Sequence, residues 1–449
     1  MTGAEDESAS PTTGGRGGQA FPADALRCIV GNLDAERSWA LDDAEGRRAA
    51  GDAAASLQER AISAPRLPQR VLASVSACAT LLRAFAHAGD VLWTPAAVAS
   101  ERLPETSALP APRLVTGALG GVGPYPLLAW GETLEVASAR RREEKAASSD
   151  AGLAMDASAF LLDGPPAGGI VETIRALAPP SPAAARRAND RALALDVARD
   201  LGVALPGARI IRSVAELADH LRAAGAAAAR GGHWVVKAPF SASARERLRG
   251  SGTRLDGPSL RRAERLLESY GRLLFEPWME RTCDVGRVAI IDGSRLRVLP
   301  LHGLLVAPNG VFRGVELAGP ERAPRGLEAL EDSSYRCVEA VAQRLRSLGY
   351  SGPFGVDAWQ YRGTDGEVRF HPLGEINARM TFGLVARALV ERLTAGGALR
   401  RDAELRFRIA TSGEHALHLE AAPSSRRVPL LEPSGDDPTC AWIEPAASP

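Results

Sequence analysis

A single hairpin constrains this chain more than any other stretch. Apolar runs at 354–361 and 368–377 flank Thr364-Asp365-Gly366, a turn signal between two strands. Successive strand side chains alternate, so Glu375 and Asn377 leave the same face, and Arg379 continues it if the strand persists. Antiparallel pairing about Asp365 and Gly366 sets Asp357 opposite roughly residue 374. Two carboxylates and an amide oxygen would then converge from adjacent strands. Such hard oxygen ligands suit Mg²⁺ held between protein and phosphate. The competing reading is a polar strip on an exposed sheet. Against it, Glu375 and Asn377 are interleaved with Leu373, Ile376 and Ala378, and an apolar helix follows.

Composition enters through the cations. The 449 residues carry 54 basic and 54 acidic side chains, a balance that argues against a general nucleic-acid or membrane-surface binder. Only Lys145 and Lys237 are lysine, so 52 of the 54 basic residues are arginine. Lys145 follows Glu144 and Lys237 follows Val236, which removes a Gly-Lys-Ser/Thr phosphate loop. A protein kinase is excluded too, because neither His-Arg-Asp nor Asp-Phe-Gly occurs. The five cysteines are scattered without a Cys-x-x-Cys pair, as expected for reduced thiols in a cytoplasmic protein with no zinc site. His415 and His418 form the one i, i+3 histidine pair, read as part of a solvated strand or loop. No signal peptide is expected. The uncharged run 114–131 holds too many glycines and prolines for a membrane span, and its Gly117-x-x-Gly120-Gly121-x-Gly123 reads as a loop before it reads as a phosphate cradle.

Along the chain, residues 1–20 lack any apolar period and are expected to be disordered. From Leu26 an α/β domain is expected over 21–185, opening with Leu26-Arg27-Cys28-Ile29-Val30 as a strand that runs into Gly31-Asn32. Further strands are expected at 90–93 and 125–130, with a helix at 71–88. The charge blocks at 140–145 read as a solvated helix face carrying Lys145. Prolines at 165–166 and 179–182 suggest a boundary near residue 185.

Beyond it, helices are expected at 191–201 after Asp190, from about Ser213 to Gly225, at 259–269 and at 327–348. Strands are expected at 208–214, 233–238, 273–279, 284–291, 295–306 and 311–317, the last three joined at Asp292-Gly293 and Asn309-Gly310. Residues 401–449 read as a small strand pair with a loose Pro/Ser-rich tail. There is no internal repeat.

Lys237 ends an apolar strand before Ala238-Pro239-Phe240-Ser241-Ala242-Ser243-Ala244. A cation there can reach phosphate oxygens while the loop backbone wraps them. Further on, Leu274-Phe275-Glu276-Pro277-Trp278-Met279 is an extended apolar segment with one carboxylate, able to present backbone groups to an adenine edge.

The order of a strand lysine, a small-residue loop, Glu-x-x-Met, a strand aspartate and Glu-Ile-Asn-x-Arg resembles the ATP-grasp superfamily over residues 186–400, about half the chain. That resemblance implies a Rossmann-like, pre-ATP-grasp α/β domain followed by an α+β ATP-grasp fold of two subdomains. It gives Lys237 to the nucleotide phosphates, with Arg191 a second phosphate contact or else a helix-surface residue. Ser241 and Ser243 belong to the phosphate loop. Glu276 would meet the adenine amino group, Trp278 and Met279 the hinge, and Asp284 the ribose. Asp357, Glu375 and Asn377 would hold one or two Mg²⁺ (or Mn²⁺) ions, and Arg379 would steady the transferred phosphate. One departure stands out: the stretch 241–249 lacks the paired glycines common in relatives and carries Arg245, Arg247 and Arg249. The implied activity is an ATP-dependent ligase that activates a carboxylate as an acyl-phosphate for attack by an amine or thiol. A non-catalytic Mg-ATP-binding module and a phosphotransferase on the same fold are the alternatives. Homodimers are common among look-alikes, and the residues leave oligomeric state open. His302 and His371 are each either near an acceptor or structural.

Overall fold

The computed structural model describes residues 25–49, 67–119, 125–150, 169–224, 232–241, 246–307, 310–319, 322–411 and 427–446. The expected tail 1–20, Ser243, Arg245, Asn309, His415, His418, and Gly120, Gly121 and Gly123 lie outside the described residues.

Short apolar runs near the start build a parallel sheet. Its strands are β1 (Cys28–Val30), β2 (Val91–Trp93), β3 (Arg113–Val115) and β4 (Leu127–Ala129), in the order β3-β2-β1-β4. Cys28, Ile29 and Val30 are wholly buried, as a parallel strand covered on both faces requires. Helices α1 (Ala35–Ala49), α2 (Gln69–Ala79) and α3 (Leu134–Asp150) accompany the sheet. The helix expected at 71–88 is α2 followed by a buried 3₁₀ segment, Thr80–Phe85. β3 carries no clear apolar signal, because it is a half-exposed edge strand. Gly31 is needed for close approach, since a Cβ there would fall 2.4 Å from the Cβ of Ala79. Asn32 then pins the two loops at the strand ends, its amide donating to the Gly131 carbonyl at 2.7 Å and accepting from the Gly131 N–H at 3.2 Å.

Two short helices follow. The N-terminal amides of α4 (Ile170–Ala176) donate to the Glu391 carboxylate, Ile170 at 2.8 Å. The prolines read as a boundary include the first residue of α5 (Pro182–Ala188), whose cap is Ser181. Proline at that position loses no hydrogen bond, so the run starts a helix that continues across residue 185.

Next comes a second sheet, four-stranded and antiparallel. Helix α6 (Arg191–Asp200) leads into β5 (Arg209–Ile211), α7 (Val214–Ala224), β6 (His233–Lys237), β7 (Arg247–Ser251), α8 (Gly257–Tyr270) and β8 (Leu273–Pro277), with strand order β5-β8-β6-β7. Trp234, Val236, Leu273 and Phe275 face α7 and α8, so Val235, Lys237 and Glu276 take the other face. α8 begins two residues earlier than expected, because Asp256 accepts the Ser259 N–H at 2.7 Å and Pro258 occupies the first turn.

Among the described residues the third sheet has nine antiparallel strands. They are β9 (Glu280–Asp292), β10 (Arg295–Val298), β11 (His302–Val306), β12 (Phe312–Ala318), β13 (Gly352–Arg362), β14 (Val368–Asn377), β15 (Glu404–Thr411), β16 (Val428–Leu431) and β17 (Thr439–Pro445). Helices α9 (Glu331–Ser347) and α10 (Phe382–Ala395) pack on it. The strand expected at 295–306 is two strands broken at Pro300: β10 folds back on β9, and β11 pairs with an earlier part of β9. The C-terminal strands do not form a loose appendage. They extend this sheet, burying Leu430, Leu431, Trp442 and Ile443. Among the described residues no helix is long and apolar enough to cross a membrane.

β8 runs directly into β9 through Trp278 and Met279, so the second and third sheets face each other. Leu274, Met279, Trp359 and Tyr361 pack together between them. The cleft lined by these two sheets receives the polar side chains described next.

Candidate active site

On one wall, Lys237 lies at the end of β6 and its Nζ donates to Glu276 Oε2 at 2.5 Å. The antiparallel register opposes Val235 to Glu276, which puts the Lys237 side chain diagonally beside the carboxylate. Burial alone would push the Glu276 carboxyl up, but the adjacent ammonium prevails and holds it below the usual range. His371 lies nearby against Trp359, ring centroids 4.7 Å apart. Burial lowers its imidazole to about 4, so it is neutral at pH 7.

The opposite wall is the β13–β14 hairpin. Asp357 pairs directly with Glu375, one residue beyond the expected partner. The register shifts between Asp357 and Trp359, where β14 carries Pro372 and Gly374. Proline cannot donate to the ladder, so the strand bulges and Glu375 slides into place. Asn377 donates to Asp357 Oδ2 at 3.2 Å. Burial, then the charge of Glu375, pushes the Asp357 carboxyl up to about 7. The two opposed carboxylates are hard oxygen donors whose repulsion a divalent cation would relieve, while Asn377 turns its amide N–H to Asp357 and its Oδ1 to Arg379. Among the described residues no cluster of three or more His, Cys, Asp or Glu side chains is placed to hold a metal ion.

Arg191 joins the walls. It is buried at the start of α6 and donates to the Ala238 carbonyl at 2.6 Å, to Ser241 Oγ and O at 2.9 and 3.0 Å, and to Glu375 Oε1 at 2.7 Å. Its Nε is buried without an acceptor, a donor that an anion between the walls could take.

No family model matches the chain, and no curated protein matches it in sequence. Solved structures do. An N5-carboxyaminoimidazole ribonucleotide synthetase in complex with ADP superposes with a TM-score of 0.52 at 10% identity, covering 96% of this chain and 94% of that one. The same kind of enzyme from Thermus thermophilus gives a TM-score of 0.46 at 15% identity over 82% and 92% of the two chains. The biotin carboxylase domain of 2-oxoglutarate carboxylase from Hydrogenobacter thermophilus, with MgADP and bicarbonate, gives 0.41 at 15% identity over 60% and 64%.

The chain has the ATP-grasp fold.

Within this ATP-grasp fold, Lys237, Glu276, Arg191, Ser241, Asp357, Glu375 and Asn377 come together in the cleft. The contacts of the residues implied by resemblance are specific. Arg191 does not lie on a helix surface; it is buried and already engaged by four oxygens. Glu276, expected at the adenine amino group, is paired with Lys237. The Trp278 N–H donates to the His233 carbonyl at 2.9 Å, because β8 stays paired with the start of β6, so that group is closed to an adenine edge. Met279 lines the apolar cluster beside Trp359. Asp284 salt-bridges Arg281 at 2.8 Å. Arg247 and Arg249 belong to β7 and not to the loop.

Arg379 lies just past the end of β14, reaching Asn377 Oδ1 at 2.9 Å and, from Nε, Glu36 Oε1 at 2.8 Å. It also packs over Trp130, 5.3 Å from the ring centroid. Glu36 was not anticipated. Its only sequence signal is an acidic residue in the first turn of a helix following a strand and Gly31-Asn32, a pattern common to many α/β domains. Both histidines are buried. His371 is buried beside Trp359, and His302 lies between Gly286 and Gly383, where a Cβ on either glycine would fall 2.5 Å from its Nε2.

Proposed function

We propose that this chain is an ATP- and Mg²⁺-dependent ligase that activates a carboxylate as an acyl-phosphate and passes the acyl group to an amine or thiol. The observation that carries the reading is one cleft in which Lys237 and Arg191 face an Asp357–Glu375–Asn377 oxygen set. Solved neighbours with this fold are described as bound to ADP, ATP or MgADP, and the reading extends those ligands to this chain.

Asp357, Glu375 and Asn377 would hold the metal, which when bound neutralises phosphate charge and aligns the terminal phosphoryl group. Lys237 would exchange part of its contact with Glu276 for phosphate oxygens, and Arg191 would offer its spare Nε–H. A substrate carboxylate oxygen attacks the γ-phosphorus, the bond to the β-phosphate oxygen breaks, and ADP leaves. The amine or thiol then attacks the carbonyl carbon, phosphate departs, and the nucleophile gives up its proton. No protein side chain forms a covalent bond.

Arg379 and Glu36 lie where the parallel sheet opens between β1 and β4, the switch point of its strand order. Such crevices bind ligands in α/β folds, which supports an acceptor site there, next to where the acyl-phosphate would form.

The test is ADP release across a panel of carboxylates with amines, followed by hydroxylamine trapping. Carboxylate-dependent ADP release with a trapped hydroxamate is expected, and Glu375→Gln should abolish turnover with the fold intact. ADP formation without hydroxamate would point to a phosphotransferase. MgATP binding with no ADP release under any mixture would leave a binding module.

A further inference from the structure

The stretch after Lys237 departs from a glycine-rich phosphate loop, and the adjoining strand offers something else. In β7, Arg247 and Arg249 are two residues apart and so project from one face. The register opposes Lys237 to Arg247 and Val235 to Arg249, which makes it the cleft face shared with Glu276. Arg249 lies flat on Trp278, its guanidinium carbon 3.6 Å from the ring centroid. Arg281 and Arg247 approach the same ring at 5.6 and 5.9 Å. Gly310 approaches two of them, since a Cβ there would lie 3.0 Å from Arg247 Nη2 and 3.4 Å from Arg249 Nη2.

Electrostatics gives this cluster a direction. Burial, and after it the positive charges of Arg249, Arg281 and Arg191, lowers the Arg247 guanidinium to about 10. Within the cluster Arg281 is ion-paired with Asp284 at 2.8 Å. A polyanion entering beside Lys237 would relieve the repulsion among these cations.

We propose that Arg247 and Arg249 bind the polyphosphate of the nucleotide through their side chains, doing in this chain what loop amides do where glycines are present. Arg247 stands beside Lys237 and supplies a planar fork to the phosphate oxygens, and Arg249 is held on Trp278 so that its charge faces the same ligand. This assignment rests on the nucleotide reading above.

The experiment is calorimetry on the full chain with MgATP, MgADP and adenosine at several salt concentrations. Wild type, Arg247→Ala, Arg249→Ala and the exposed-site control Arg254→Ala are compared, with thermal midpoints recorded for each. Arg247→Ala should weaken MgATP roughly tenfold to a hundredfold, as expected for loss of a charge-assisted contact, and flatten the salt dependence. Its adenosine affinity should match wild type, and Arg254→Ala should bind MgATP like wild type. MgATP affinity unchanged in both the Arg247 and Arg249 variants overturns the proposal. Equal loss for adenosine and MgATP also overturns it, since that marks a merely structural role. If wild type binds no MgATP, the nucleotide reading itself fails, and this assignment falls with it.

Discussion

His371 illustrates how a buried side chain couples this cleft to pH. Its ordinary value of 6.5 falls to about 4 in the fold, chiefly because burial disfavours the imidazolium. Above pH 6.5 both folded and unfolded chains carry a neutral ring, so the residue contributes no pH dependence there. As pH falls from 6.5 toward 4, the unfolded chain binds a proton that the folded chain refuses, and stability drops. The loss approaches about 3 kcal/mol near pH 4. Urea titrations at pH 7 and pH 4.5 should therefore show a larger acid-induced loss for wild type than for His371→Gln. Equal losses would mean that the ring takes its proton freely in the folded state. From sequence, this histidine and His302 read as structural residues before they read as acceptor groups. Their burial is a property of what the rest of the chain places on top of them.

At the scale of elements, the β13–β14 hairpin sets the geometry of the carboxylates. Side-chain alternation already requires Glu375 and Asn377 to share a face, a rule that needs only the two residues and a strand. Which residue lies opposite depends on the bulge at Pro372–Gly374, and Trp359 packs against that bulge. The indole of Trp359 lies across Gly374, where a Cβ would fall 1.7 Å from its Cζ3. Gly374→Ala should thus displace the ring and cost about 1–3 kcal/mol, with a change in tryptophan fluorescence and weaker metal binding. A variant with native stability and fluorescence would show that the ring moves aside freely. The same logic explains the elements that escaped sequence reading. β3 is a three-residue edge strand without a continuous apolar run, and α4 is capped by Glu391 from α10, more than two hundred residues away. Local pattern reaches neither, because neither is stabilised locally.

Across the whole molecule, the arginine excess acquires a structural meaning. Arg102 donates to Asp437 Oδ2 at 2.9 Å and to the Glu432 and Thr439 carbonyls at 2.8 and 2.7 Å, tying the parallel-sheet region to the last strands of the large sheet. Arg392 reaches from α10 to the Ala84 and Ala86 carbonyls, and Arg83 reaches the Leu430 carbonyl. A guanidinium fork can satisfy several carbonyls at once in fixed directions, which a lysine ammonium does less well. Asp437→Ala would leave the buried Arg102 charge without its counter-ion and should destabilise the protein by about 3–5 kcal/mol in denaturant unfolding. Arg102→Met combined with Asp437→Ala should recover part of that. A negligible effect of the single change would mean that water reaches the pair. The sequence by itself determined the alternation that puts Glu375 beside Asn377, the strand ending at Lys237, the turns between strands, and the exclusion of a Gly-Lys phosphate loop. These depend on neighbours within a few residues, where backbone geometry alone is decisive. Only the tertiary structure decided that Lys237 meets Glu276, that Arg191 spans from the loop to Glu375, and that Glu36 takes Arg379. Each of those contacts joins residues 39 to 343 positions apart. Their partners are selected by how three sheets stack, and that selection rests on packing and charge summed over the whole chain.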